Sequence, residues 1–159
     1  MKVIIRTVGS SGDVNPFIAV GMALRKRGHE VFLLVNPYFE KQVRDAGLEF
    51  VPLGDPFDLR RIGEMPDLMH PRKALRLTLD LLILAQMPLT IDALGSLIRD
   101  MHPDIVVSHH TCPGTHWICE RHGVPSASVV LAPILWPSSK DPSQFLSWEP
   151  ETPPGWYLR

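Results

Sequence analysis

Five short apolar runs set the limits on how this chain can fold: Val3–Val8, Val31–Val35, Glu49–Leu53, Ile105–Ser108 and Ala127–Leu131. Each is rich in Val, Ile or Leu and continuous rather than alternating. A strand with one wet face alternates, so a continuous run predicts a strand covered on both faces, as in a parallel sheet between helix layers. Helical signals separate the runs. Asn15-Pro16 reads as an N-cap followed by a first-turn proline, Phe17, Val20 and Leu24 share one face, and Gly28 closes the helix. Asn36-Pro37 repeats the device, with Gly47 as its stop. A long helical stretch from about Pro71 to Met101, expected to kink at Pro88, precedes the fourth run, and a helix over Pro113 to His122 stops at Gly123. The pattern predicts an α/β fold: a Rossmann-like, doubly wound parallel sheet ordered 3-2-1-4-5.

In such a sheet, ligands bind beyond the carboxyl ends of the strands, where the strand order reverses. The switch falls between strand 1, which ends in "TVGSSGDVNP", and strand 4, which ends in "SHHTCPG". Topology alone therefore brings Asp13 into one crevice with His109 and His110. Glycine-rich turns of this kind often hold phosphate, which Asp13 would repel. The dinucleotide pattern G-x-G-x-x-G needs glycine where Ser11 and Val14 stand, and no Gly-Lys-Ser/Thr follows Gly12. His109, His110, Cys112 and His116 match no zinc spacing, and adjacent histidines on a strand point to opposite sides, so no metal is expected. Two uses of Asp13 stay open, as a turn or cap residue and as a reacting carboxylate. His109 and His110 are either a strand end meeting solvent or part of the same site. Gly9 and Gly12 serve backbone geometry, with close approach to a ligand as a second use.

At 159 residues and 45% hydrophobic content, the chain is expected to build one core, over residues 1–131. A net charge of −1 without a basic patch argues against nucleic acid as a partner. The most apolar stretch, Leu75 to Ile98, is broken by Asp80, Gln86, Pro88 and Asp92 and fails as a membrane span. No leader peptide is read at the N-terminus. Cys112 and Cys119 on one helix would lie roughly 10 Å apart, too far for a disulfide, so a reducing cytoplasmic setting is expected. Residues 132–159 hold six of the sixteen prolines and three of the four tryptophans, and are expected to form an irregular loop or tail.

The joined motifs "TVGSSGDVNPFIAVGMALRKRGHEVFLLVNPYF", "AGLEFVPLG" and "HPDIVVSHHTCPGTHWICERHGVPSASV" closely resemble the N-terminal domain of GT-B glycosyltransferases of families 28 and 1. Among these they look most like bacterial sterol-glucosyltransferase-like and rhamnosyltransferase-type enzymes. The resemblance covers about residues 1 to 131. It implies half of a GT-B fold, whose acceptor-binding domain works with a C-terminal domain that holds the nucleotide sugar. That second domain is not read in this sequence, so the chain alone is expected to be inactive. The implied whole is an inverting hexosyltransferase acting on a hydroxyl of an apolar acceptor (lipid, sterol or polyketide-like). The alternative is a non-catalytic subunit that recruits acceptor for a separate donor-binding subunit.

Many members of these families carry a histidine base in a "GHVNP"-like motif, and "GDVNP" puts Asp13 in its place. Where such members have an aspartate after strand 4 to orient the base, this sequence has "SHHT". His109 or His110 would then orient Asp13 or share its proton. Gly9, Ser10, Ser11, Gly12 and Thr111 are the implied acceptor contacts. No cofactor is implied, since the nucleotide sugar is a substrate, and peripheral membrane association of the full enzyme is compatible with an apolar acceptor. Some leucines between Phe57 and Met101 are expected to line a groove beside Asp13 or to lie under the tail.

Overall fold

The computed structural model describes residues 1–56, 73, 76 and 79–132. The expectations for the first part of the 57–101 stretch and for the Pro/Trp-rich segment from 133 onward lie outside these residues. The chain divides into two compact units, Met1–Val129 and Val130–Arg159, and the first contains the whole described sheet.

β1 (Lys2–Arg6) is the central strand. It pairs in parallel with β2 (Glu30–Val35) on one side and β4 (Ile105–His109) on the other, so that Ile4 lies between Phe32 and Val106. β3 (Glu49–Pro52) extends the sheet beyond β2, and β5 (Ser126–Val129) beyond β4. The order is β3-β2-β1-β4-β5, as the apolar runs predict, with bounds shifted by one or two residues. β5 departs from the doubly covered pattern, because Ala127 and Ser128 are exposed.

α1 (Ser11–Lys26) follows β1. After β2, a short 3₁₀ turn over Pro37–Phe39, capped by Asn36 Oδ1 on the Tyr38 amide (3.0 Å), leads into α2 (Glu40–Asp45). A π-helical segment, Leu79–Leu84, comes before α3 (Gln86–Met101), and α4 (Pro113–His122) joins β4 to β5. Gly28, Gly47 and Gly123 end their helices with φ of +84°, +74° and +67°, the left-handed geometry that glycine adopts without steric cost.

Alternation along β1 separates two cores. Ile4 packs with Leu34, Leu53, Leu94, Ile98, Val106, Ile118 and Cys119, the layer under α3 and α4. Ile5 points to the opposite face, where a Cβ on Gly21 of α1 would sit 3.5 Å from its side chain. β-strands and their following helices run in opposite directions, so the starts of α1, α3 and α4 lie at the carboxyl edge of the sheet.

Two expectations about helix starts need correction. α1 begins at Ser11 with Ser10 as its N-cap, and Asn15 lies inside the helix, where its Oδ1 accepts from Gln42 Nε2 at 2.6 Å. The reason is a capping box: Ser10 Oγ accepts from the Gly12 amide (3.2 Å), and the Asp13 carboxylate accepts from the Ser10 amide (2.7 Å). Two reciprocal bonds outweigh the Asn-Pro signal. Pro88 does not kink a long helix. It sits in the first turn of α3, where a missing N–H is tolerated, and the irregularity is the π segment upstream, with the Ala85 amide bonded to the Asp80 carbonyl at 3.0 Å.

The leucines of this region divide between core and surface. Leu94 is fully buried, whereas Leu79, Leu84 and Leu89 are exposed. Leu94→Ala is expected to cost about 2–5 kcal/mol by opening a cavity between α3 and the sheet. Leu84→Ser and Leu89→Ser should stay within about 1 kcal/mol of the parent. Urea unfolding followed by circular dichroism checks both, and equal losses at Leu94 and Leu84 would contradict this division.

Candidate functional site

The site forms where β1 and β4 end. β1 hands over to α1 through Thr7, Val8 and Gly9, and Gly9 takes φ of +121°. A side chain at Gly9 would overlap the Asp13 carboxylate, so the glycine permits both the turn and the close approach of Asp13 to the backbone.

The two oxygens of Asp13 have different surroundings. Oδ2 accepts from the Ser10 amide (2.7 Å) and the Ser10 hydroxyl (2.9 Å), which completes the cap of α1. Oδ1 takes no part in the cap and lies 3.6 Å from Nε2 of His109. The side chain is 37% exposed, open on one side and held on the other. Asp13 is therefore a cap residue with one oxygen outside the cap.

His109, the last residue of β4, is only 3% exposed. Its ring lies 5.7 Å from the Phe17 ring and 4.1 Å from the His110 ring, centroid to centroid. Nδ1 is 2.5 Å from the Thr111 hydroxyl and accepts from the Thr111 amide at 3.2 Å. Nε2 is buried, has no hydrogen-bond partner, and faces Asp13. Burial, first, and the neighbouring His110, second, push the His109 pKa down to about 4; Asp13 opposes them and Arg6 adds to them. His109 is neutral at pH 7.

The expectation that His109 and His110 point to opposite sides is corrected by their adjacent rings, tilted at an interplanar angle of 36°. Alternation ends with the strand, and the chain turns at His110, closed by the Cys112 amide on the His109 carbonyl (2.9 Å). His110 Nδ1 is also buried without a hydrogen-bond partner. His116 stands apart on α4, its Nδ1 3.0 Å from Ser126 Oγ. Among the described residues, no three His, Cys, Asp or Glu side chains are placed to hold a metal. Of the expected acceptor contacts, Ser10, Ser11 and Gly12 are exposed at the start of α1, and Thr111 is half-buried against His109.

One residue of the site was not singled out in the sequence. Arg6, at the end of β1, is 1% exposed. Its Nε and Nη2 each donate to Thr90 Oγ1 of α3 at 3.3 Å, and Nη1 donates to the Thr7 carbonyl. Burial disfavours its charge and the adjacent Cys112 opposes that effect, but a guanidinium stays protonated. Cys112 is a buried free thiol whose pKa is raised by burial, with Arg6 and the Thr111 hydrogen bond acting against the rise. The available signal was a lone arginine inside the apolar run "KVIIRTV".

Residues 3–97 match the glycosyltransferase family 28 N-terminal domain. A sterol 3-beta-glucosyltransferase of Arabidopsis thaliana is 31% identical over 135 residues, which cover 79% of this chain and 21% of that protein. An O-mycaminosyltylonolide 6-deoxyallosyltransferase of Streptomyces fradiae is 39% identical over 77 residues, 48% of this chain and 18% of the relative. Among solved structures, the SsfS6 glycosyltransferase of Streptomyces sp. SF2575 superposes with a TM-score of 0.62 at 21% identity, over 82% of this chain and 39% of that one. The shared fold is the Rossmann-like half of a GT-B glycosyltransferase. The chain thus spans about a fifth of the length of the two relatives named.

Two outcomes follow from the geometry. Gly9→Ala should destabilise the chain by about 1–3 kcal/mol and displace Asp13 from its cap, readable as a lower thermal midpoint. For His109, the folded pKa of about 4 lies below the ordinary 6.5, so between these values the unfolded chain binds up to one proton more. Its contribution to stability is complete above pH 6.5 and is lost as pH falls toward 4. His109→Gln should flatten the stability–pH curve over that window relative to the parent. Parallel curves for the two proteins would contradict a neutral, buried His109.

Proposed function

Because the chain belongs to glycosyltransferase family 28 through its N-terminal domain, we propose that the crevice at the ends of β1 and β4 binds an acceptor hydroxyl and that Asp13 removes its proton. The observation that carries this reading is the divided carboxylate: Oδ2 is fixed by Ser10, while Oδ1 has no bond in the cap. A base must be held in place and still have a lone pair to offer, and this arrangement meets both needs. His109 beside Oδ1 orients it.

In the reaction, the acceptor oxygen attacks the anomeric carbon of a nucleotide sugar. Its O–H proton passes to Asp13 Oδ1, the new C–O bond forms, and the bond to the phosphate oxygen breaks with its electron pair leaving on the nucleotide. A single displacement of this kind inverts the anomeric centre. The donor is a hexose-bearing nucleotide sugar held by a second, donor-binding half, and it is a substrate; no cofactor enters. An apolar hydroxylated acceptor fits the exposed leucines Leu84 and Leu89 around the start of α3, at the same edge of the sheet. The acceptors for which the relatives are named, a sterol and O-mycaminosyltylonolide, support the same class.

In the enzyme completed by its donor half, Asp13→Asn is expected to lower kcat by about 10²–10⁴-fold with the protein still folded. A rate equal to the parent's would reduce Asp13 to a capping residue. The 159-residue chain alone is expected to bind apolar acceptors and to show neither turnover nor tight binding of UDP- or dTDP-sugars. Calorimetry with each ligand checks this, and micromolar donor binding with turnover by the chain alone would overturn the division of labour.

A further inference from the structure

We propose that Thr111 is a positioning residue that fixes which nitrogen of His109 carries the proton, so that Nε2–H is presented to Oδ1 of Asp13. The inference rests on the reading of Asp13 as the base and adds a residue that acts through another.

The argument starts from the Thr111 amide, which donates to His109 Nδ1 at 3.2 Å. An amide nitrogen has a hydrogen to give and no lone pair to receive one, so Nδ1 is the unprotonated nitrogen of a neutral ring. The Thr111 hydroxyl, 2.5 Å from the same nitrogen, donates as well. The single ring proton therefore sits on Nε2, the nitrogen 3.6 Å from Asp13 Oδ1. In the other tautomer a lone pair would face the carboxylate, and an N–H would face the Thr111 amide.

The surroundings keep the ring in this role. Thr111 is held two residues beyond His109 by the turn that the Cys112 amide closes on the His109 carbonyl. Phe17 and His110 flank the ring. The charged and titratable groups that act on it are Asp13 from α1, His110 from the turn and Arg6 from β1. A neutral Nε2–H donor orients Oδ1 without cancelling its charge, whereas an imidazolium would tie the carboxylate into an ion pair and weaken it as a base. A threonine that contacts acceptor would act on KM. A threonine that sets the tautomer acts on kcat.

The test uses ring-nitrogen NMR of the histidine-labelled 159-residue chain, with His109→Asn to assign the His109 signals. The parent should show Nδ1 unprotonated and Nε2 protonated at pH 7. Thr111→Val keeps the shape and the amide but removes the hydroxyl. With one of the two donors to Nδ1 gone and the amide still in place, the preference for the Nε2-protonated form should weaken about three- to tenfold and the His109 midpoint should rise by about half to one pH unit, the worth of one hydrogen bond. In the completed enzyme it should lower kcat about three- to tenfold at unchanged KM, with Thr111→Ser restoring both readouts. Unchanged ring signals and midpoint in Thr111→Val would overturn the proposal, as would a raised KM at constant kcat. A shifted tautomer with unaffected transfer would uphold the role of Thr111 and overturn instead the reading of Asp13 and His109 as the catalytic pair.

Discussion

The hydrogen bond from the Ser10 amide to Asp13 Oδ2, 2.7 Å long, is the contact on which the site depends. It starts α1 four residues after β1 ends. It also holds the carboxylate against the backbone at Gly9, where no side chain could stand. Once Oδ2 is committed to the cap, the direction of Oδ1 is set, and it meets β4 at His109. A helix cap and a candidate base are one group here. Caps of this kind contribute about 1 kcal/mol to stability, so the orientation of the reacting oxygen comes with folding rather than against it.

Behind this pair lies a second charge that the fold does not neutralise with a carboxylate among the described residues. The Arg6 guanidinium is bonded to a threonine hydroxyl and a backbone carbonyl, both neutral. Burying a charge in such company costs several kcal/mol. Its position couples it to His109. Arg6 acts on His109 in the same sense as burial does, while Asp13 acts in the opposite sense, so the imidazole lies between opposed fields and stays uncharged.

Much of the fold was legible because its signals are redundant. Continuous apolar runs, helix stops at Gly28, Gly47 and Gly123, and the rules for crossovers all agree on one sheet order. The start of α1 was misread because two cap signals compete within seven residues, "SSGD" and "NP", and only the geometry of reciprocal bonds ranks them. The meeting of Asp13 with His109 followed from topology alone. The relation of the two histidines did not: strand alternation places His109 and His110 apart, and it ceases to apply where the strand ends. The separate surroundings of the two Asp13 oxygens, and the burial of Arg6, are properties of packed atoms and have no counterpart in residue spacing.

The π-helical segment before α3 bears on how such a domain could diversify. A π turn holds one residue more than an α turn, so deleting a residue from Leu79–Leu84 can be absorbed as a return to α-helix. The turn would tighten and its own side chains would move around the helix axis, while Leu94 and Ile98 kept their places in the core. The segment decouples the surface near the site from the layer that stabilises the sheet. A lineage carrying it can re-aim those side chains by single-residue length changes while the core layer stays in place.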